Sequence, residues 1–326
     1  MTAANPNPVP RPRNSSADVA AVRVAGESLL ARIGNTPLLR FDALTSELPS
    51  VQLYGKAEWY NPGGSIKDRT ASSIVTEARR CGKLAPGKTL LDSTSGNTGI
   101  AYSMLGAALG FPVALCVPEN ISPERKRILQ AYGANIILTD AGEGSDGATR
   151  VAHDLAEKHP DLYFYADQYS NEANWRAHYN TTANEIWRQT DGRITHFVAI
   201  MGTTGTFVGT TRRLKELNPN IRCISLQPDS PFHGIEGTKH LGSTMVPGIY
   251  DPTLADEQLE IHTEDAHAMA CRLAREAGLL VGVSAAAGIV GSLKLAESLK
   301  KQQPVIVTIL GDSGERYLGE KFWTQG

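Results

Sequence analysis

The sequence predicts an α/β protein of two domains, each a twisted, mostly parallel sheet flanked by helices. Three observations predict it. Short strand-like runs alternate with helical stretches along nearly the whole chain. Those runs are apolar at almost every position, as in parallel sheets covered on both faces. And 326 residues are too many for one small core.

The elements follow in order. Strand "VQLYGKAEW" leads to helix "KDRTASSIVTEARRCG", then strand "TLLDST", helix "TGIAYSMLGAALG", strand "PVALCVP", helix "SPERKRILQAYGA" and strand "NIILTD". Helix "ATRVAHDLAEKH" and strand "LYFYAD" complete a first set. A second set runs through helix "HYNTTANEIWRQT", strand "HFVAIMG", helix "TFVGTTRRLKELN", strand "RCISLQP", helices "TEDAHAMACRLAREAG" and "GIVGSLKLAESLKK", and strand "PVIVTIL". Two such sets place a ligand crevice between them, at the carboxyl ends of the strands.

Composition narrows the function classes. Apolar residues make up 41% and charged residues 20%, with a formal net charge of −2, so electrostatics suggests neither nucleic acid nor an anionic membrane as partner. No apolar run is long enough to cross a bilayer. Cys81, Cys116, Cys223 and Cys271 show no metal or disulfide spacing and read as reduced, mostly buried thiols of a cytoplasmic protein, with no metal site. Residues 1–22, rich in proline and asparagine, read as a flexible arm.

Four loops carry the chemistry. In "NPGGSIKDR" (61–69), a glycine pair and the N-capping type Ser65 precede Lys67. A lysine in the first helical turn faces the positive end of the helix dipole, which disfavours its ammonium form and suits a reactive amine. In "MGTTGTFVG", a strand runs into Gly202-Thr203-Thr204-Gly205-Thr206 and a helix begins at once, a ready site for a phosphate monoester. In "STSGNTGIA", Thr94, Ser95, Gly96 and Thr98 open a helix in the same way and suit a carboxylate, while the Asn97 amide can bond a phenolic oxygen. In "GVSAAAG", Ser284 follows a short apolar run among small residues that let a flat group approach. "GDSGERY" (311–317) reads as a rim loop. "GKLAPGKT" (82–89) has the letters of a phosphate-binding P-loop but the wrong context, a helix before it and a strand after, and reads as a plain turn. A reactive lysine, a phosphate cup, an amide for a phenol and a hydroxyl for a ring nitrogen together describe a pyridoxal 5′-phosphate site.

With these motifs in order and at family spacing, the chain resembles the cysteine synthases (O-acetylserine sulfhydrylases), B-type isoform, among the fold type II pyridoxal-phosphate enzymes. The resemblance runs from "IGNTPLLRF" at residue 33 to "GDSGERYL" at 318. It implies that Lys67 holds the cofactor as a Schiff base, that Asn97 bonds its 3′ oxygen, Gly202 to Thr206 its phosphate and Ser284 its ring nitrogen. It implies that Thr94, Ser95, Gly96, Thr98 and Gln168 take the substrate carboxylate. The implied reaction is β-substitution on O-acetyl-L-serine, or on O-phosphoserine, with sulfide or thiosulfate, through an α-aminoacrylate, to L-cysteine or S-sulfocysteine. The same scaffold with homocysteine, cyanide or an amine as nucleophile, or a non-catalytic binding protein, are the alternatives. The implied division is an N-terminal domain over 49–162 with a mobile, substrate-closing part, and a C-terminal domain formed by 23–48 and 163–326 that carries the phosphate loop, in a homodimer. The chain departs from the family pattern at Ala285-Ala286-Ala287 and at Asn184. In the stretch 227–248, Lys239 and His233 are candidates to meet an anionic substrate.

Overall fold

A computed structural model describes residues 26–94 and 96–324; the expected arm over 1–22, and Ser95, lie outside the described residues. Ten strands form two sheets. The larger has the order β1-β2-β10-β7-β8-β9, from Leu38–Arg40, Gln52–Ala57, Val305–Leu310, His196–Ile200, Arg222–Pro228 and Glu257–Ile261. Only β1 runs antiparallel. The smaller is wholly parallel in the order β5-β4-β3-β6, from Asn135–Thr139, Val113–Pro118, Thr89–Ser93 and Tyr163–Tyr165. Two memberships cut across the expected division. β2 comes from within 49–162 yet pairs with β10, and β6 comes from beyond 162 yet pairs with β3.

The strands are apolar throughout because each sheet has two dry faces. Along β10, Ile306 and Leu310 face one core with helices Thr263–Ala277 and Val283–Leu299, while Val307 and Ile309 face another with Ile186, Phe207 and Leu214. Along β4, Leu115 and Val117 meet Ile74 and Leu105 of helices Lys67–Arg80 and Asn97–Leu109. The alternate residues Ala114 and Cys116 meet Ala148 and Ala152 of helix Gly144–Lys158. This is the period-2 alternation of a strand with both sides buried. Residues 82–88 turn the chain from a helix into β3, with Gly82 and Gly87 at positive φ. Cys116 and Cys223 are buried free thiols, and Cys81 is exposed.

Both sheets end toward one crevice. The loops leaving β2, β3, β7 and β10 hold Lys67, Thr94, Gly202 and Asp312 in turn.

Candidate active site

The lysine loop is built by its neighbours. Gly64 turns at φ +77°, where a Cβ would meet the Arg316 guanidinium. The Gly63 N–H donates to the Asp68 carboxylate, and the Lys67 N–H donates to Ser65 Oγ at 3.2 Å. The Ile66 N–H bonds the Gly311 carbonyl at 2.9 Å, fastening the loop to the end of β10. Helix Lys67–Arg80 then starts at the lysine itself. Burial pushes the Lys67 amine below its ordinary pKa, and the nearby Asp312 carboxylate offsets that in part. A neutral amine at a helix N-terminus is a nucleophile and a base rather than an ion-pair partner.

A buried charge cluster brackets this loop. Arg69 donates to both oxygens of Glu58 and both oxygens of Glu185, and Lys56 Nζ lies 2.7 Å from Glu185 Oε2. Glu58 Oε2 also accepts from Asn61, the first residue of the loop. Two cations and two anions thus cancel, with each side chain hydrogen-bonded, as buried charges require.

Below the lysine lies the phosphate cup. After β7, Gly202 packs so close to the Gly237 carbonyl that a Cβ would sit 2.4 Å from it, and a Cβ on Gly205 would sit 2.1 Å from Asn174 Oδ1. Only glycine fits at either position. Helix Gly205–Leu217 begins there, its first N–H groups facing the cup. Thr203 Oγ1 accepts from Asn174 Nδ2 at 3.0 Å, and Thr206 Oγ1 lies 3.3 Å from His178 Nε2. Thr204 Oγ1 is buried and has no protein partner. A phosphate oxygen would satisfy it, so the residues present fit the group that the sequence implies. Ser284, near the start of helix Val283–Leu299, shares this cavity with Lys67, Gly202, Thr203, Thr204 and Thr206.

The third loop leaves β3. Thr94 Oγ1 accepts the Gly96 N–H at 3.3 Å, and helix Asn97–Leu109 follows. Thr98 Oγ1 donates to Gln168 Oε1 at 2.8 Å, and Gln168 Nε2 reaches the Ser93 carbonyl at 3.4 Å. Two expected carboxylate-binding residues from distant segments are therefore side by side. Asn97 Nδ2 donates to Asp312 Oδ2 at 2.7 Å while its Oδ1 accepts from Arg316, which fixes the amide's orientation.

Sequence reasoning missed several residues of this site. Asp312, Arg316 and Tyr317 belong to the expected rim loop, yet Asp312 and Tyr317 are buried and the Tyr317 hydroxyl donates to Asp312. Asp312 Oδ1 is buried without a partner, and burial raises the pKa of its carboxyl. Arg125 from helix Pro123–Ala131 crosses the crevice to Glu236 and lies over the Tyr317 ring. His178 opens a π-helical segment, His178–Thr182, a feature often found at functional sites. Its Nδ1 and Nε2 contact Thr182 and Thr70, and burial, with Arg69 and Lys67 nearby, holds its pKa far below the usual range. The only sequence signal was the position of "HYNTT" at the head of an expected helix. His233 is not among the residues lining the lysine cavity, and Lys239 is buried beside a second cavity.

Comparison with known proteins agrees with this geometry. Residues 29–311 match the family model described as "Pyridoxal-phosphate dependent enzyme". A cysteine synthase of Aquifex aeolicus is 50% identical over 300 residues, covering 91% of this chain and 92% of its own. Cysteine synthase B of Salmonella typhimurium is 40% identical over 299 residues, covering 90% and 97%. The crystal structure of O-acetylserine sulfhydrylase isoform 3 from Entamoeba histolytica superposes with a TM-score of 0.84 at 34% identity, covering 99% of this chain and 94% of that one.

Proposed function

Because the chain belongs to the pyridoxal-phosphate dependent enzyme family, we propose that it transfers the β-carbon of O-acetyl-L-serine to sulfide, releasing acetate and forming L-cysteine. At the coarser level it is a pyridoxal-phosphate-dependent cysteine synthase that consumes an activated serine. The observation that carries the finer reading is the shared cavity of Lys67, the Gly202–Thr206 cup and Ser284.

Lys67 would hold the cofactor's aldehyde carbon, Gly202 to Thr206 its phosphate, Asn97 its phenolic oxygen and Ser284 its ring nitrogen. When bound, the cofactor withdraws electrons from the α-carbon of an attached amino acid, so that the α-proton is labile and the β-substituent can leave. The displaced Lys67 amine takes the α-proton, and its lowered pKa keeps it available as a base. Asp312 lies close enough to stabilise the resulting ammonium. Ser284 offers the ring nitrogen a neutral hydroxyl in place of a carboxylate, which keeps electron withdrawal mild and favours elimination at the β-carbon. Thr94, Ser95, Gly96, Thr98 and Gln168 would take the substrate carboxylate.

The acetyl ester is favoured over the phosphate ester on charge. Arg316 is committed to Asn97 and the Gly63 carbonyl, and Arg125 to Glu236, while Asp312 adds a carboxylate beside the lysine. A dianionic leaving group would meet an anion there. Supporting a cytoplasmic homodimer with a mobile part in 49–162 are the free thiols and the placement of the crevice between two sheets.

Borohydride reduction of the holoenzyme is expected to leave a pyridoxyl label on Lys67 in a peptide map. O-Acetylserine is expected to shift the absorbance band and O-phosphoserine to leave it in place, with sulfide then yielding L-cysteine. A label elsewhere, or a band indifferent to O-acetylserine, overturns the reading. S-Sulfocysteine formed from thiosulfate faster than cysteine from sulfide would reassign the sulfur donor.

A further inference from the structure

A second cavity, of about 520 Å³, lies between helix Gly144–Lys158 and the 239–248 segment. Its volume is that of small-molecule sites, about 300–1,000 Å³, and far exceeds the roughly 30 Å³ share of a water molecule. Three of its walls continue into the site just described. Thr149 bonds Ser93, the residue before Thr94, at 2.8 Å between hydroxyl oxygens. Tyr169 follows Gln168. The Lys239 N–H bonds the carbonyl of Met201, the residue before Gly202, at 2.9 Å. The cavity therefore abuts the substrate loop, Gln168 and the phosphate cup at once.

Its charges are divided by sign. Lys239 is only 8% exposed, stands 4.8 Å from the centre of the Tyr169 ring, and has its nearest carboxylate, Asp146, at 3.7 Å. That contact is long for an ion pair, so the ammonium keeps donor capacity for a guest. Asp146 and Asp167 line the same space, and Arg150 is already paired with Glu143 at 3.0 Å. A small sulfur anion does not fill such a volume, and a dianion would face the carboxylates. A zwitterion matches both signs, with its carboxylate on Lys239 and its ammonium on Asp146 and Asp167.

We infer that this cavity seats a second class of nucleophile, a thiol that carries its own ammonium and carboxylate, so that the enzyme also forms thioether amino acids. The inference rests on the proposed donor chemistry. In the step, the C–O bond at the donor's β-carbon breaks and acetate leaves. The thiol sulfur forms the new C–S bond, the thiol proton balances the acetate as acetic acid, and the α-proton taken by Lys67 returns to the α-carbon. No oxidant or reductant is involved.

The test loads holoenzyme with O-acetyl-L-serine until the absorbance shift is complete. L-Homocysteine, 4-mercaptobutyrate (no ammonium) or 2-mercaptoethanol (neither charge) is then added at equal thiolate concentration. L-Homocysteine is expected to restore the original band about tenfold faster than either of the others, with the thioether product identified by mass. Lys239→Gln and Asp146→Asn are each expected to remove most of that advantage. Equal rates for the three thiols overturn the inference and leave the donor reading intact, and need no variant. An advantage that survives both substitutions overturns the placement in this cavity. A band that O-acetylserine never shifts removes the donor reading, and the inference with it.

Discussion

Thr204 sits at φ +67°, a left-handed conformation that a β-branched residue adopts under strain of about 1–3 kcal/mol. Its hydroxyl is also the buried oxygen without a protein partner. Both observations make sense if the residue is kept for the phosphate rather than for the fold. Thr204→Gly is therefore expected to leave the urea midpoint of apoprotein unchanged or higher, while weakening cofactor affinity about tenfold. Equilibrium dialysis of the cofactor beside urea titration checks the pair of outcomes. Asp68 makes the opposite case. Burial lifts its carboxyl to about 7, against the Gly63 N–H and Arg316, which favour the anion. Between 3.8 and about 7 the folded protein holds a proton that the unfolded chain has lost, so this group makes stability fall as pH rises through that window. The stability difference between wild type and Asp68→Asn, from urea titrations across the window, is expected to shift toward the variant with rising pH.

At the scale of elements, the cup depends on how closely helix Gly205–Leu217 can lie against its neighbours. A Cβ on Gly209 would sit 2.0 Å from the Trp175 carbonyl and 2.9 Å from the Tyr179 nitrogen. Gly209→Ala is expected to destabilise the protein by about 1–3 kcal/mol, read as a lowered urea midpoint, because backbone rather than a flexible side chain must give way. The parts of the site that the sequence shows plainly are local: a strand, a Gly/Thr/Ser turn and a helix start lie within a dozen letters at Lys67, Thr94 and Gly202. What it hides depends on distant chain segments meeting. "GDSGERY" carries polar letters suited to water, and only the approach of Asn97 and Lys67 makes Asp312 and Tyr317 interior. His178 shows no sign of its role until Thr70 and Thr206 arrive beside it. Strand β9, "EQLEI", has charged residues on its exposed face and lacks the apolar run that marks the other strands, and β1 has only three residues.

Across the whole molecule, the four-charge cluster of Lys56, Glu58, Arg69 and Glu185 ties the large sheet to the lysine helix and to helix Ala183–Gln189. Burial raises the Glu185 pKa, yet Arg69 and Lys56 outweigh it and hold the carboxyl at about 2. Its contribution to stability is thus present above its ordinary 4.5 and lost as pH falls toward 2. Removing one member strands its partners, so Glu58→Gln is expected to cost about 3–5 kcal/mol in a denaturant titration. The alternation of buried strands that makes the two sheets legible carries no record of these pairings, because the partners lie far apart along the chain.

The pairing of β2 with β10, from Gln52 against Val305 to Ala57 against Leu310, has a consequence for biogenesis. While a ribosome is still translating the middle of the message, β2 has emerged but its sheet neighbour does not yet exist. The four strands of the smaller sheet, all drawn from residues 89–165, can assemble in the meantime. The lysine that follows β2 must wait for the final strand before its surroundings close. The nascent chain carries an unpaired, apolar edge through most of its synthesis, the interval in which a chaperone has most to shield.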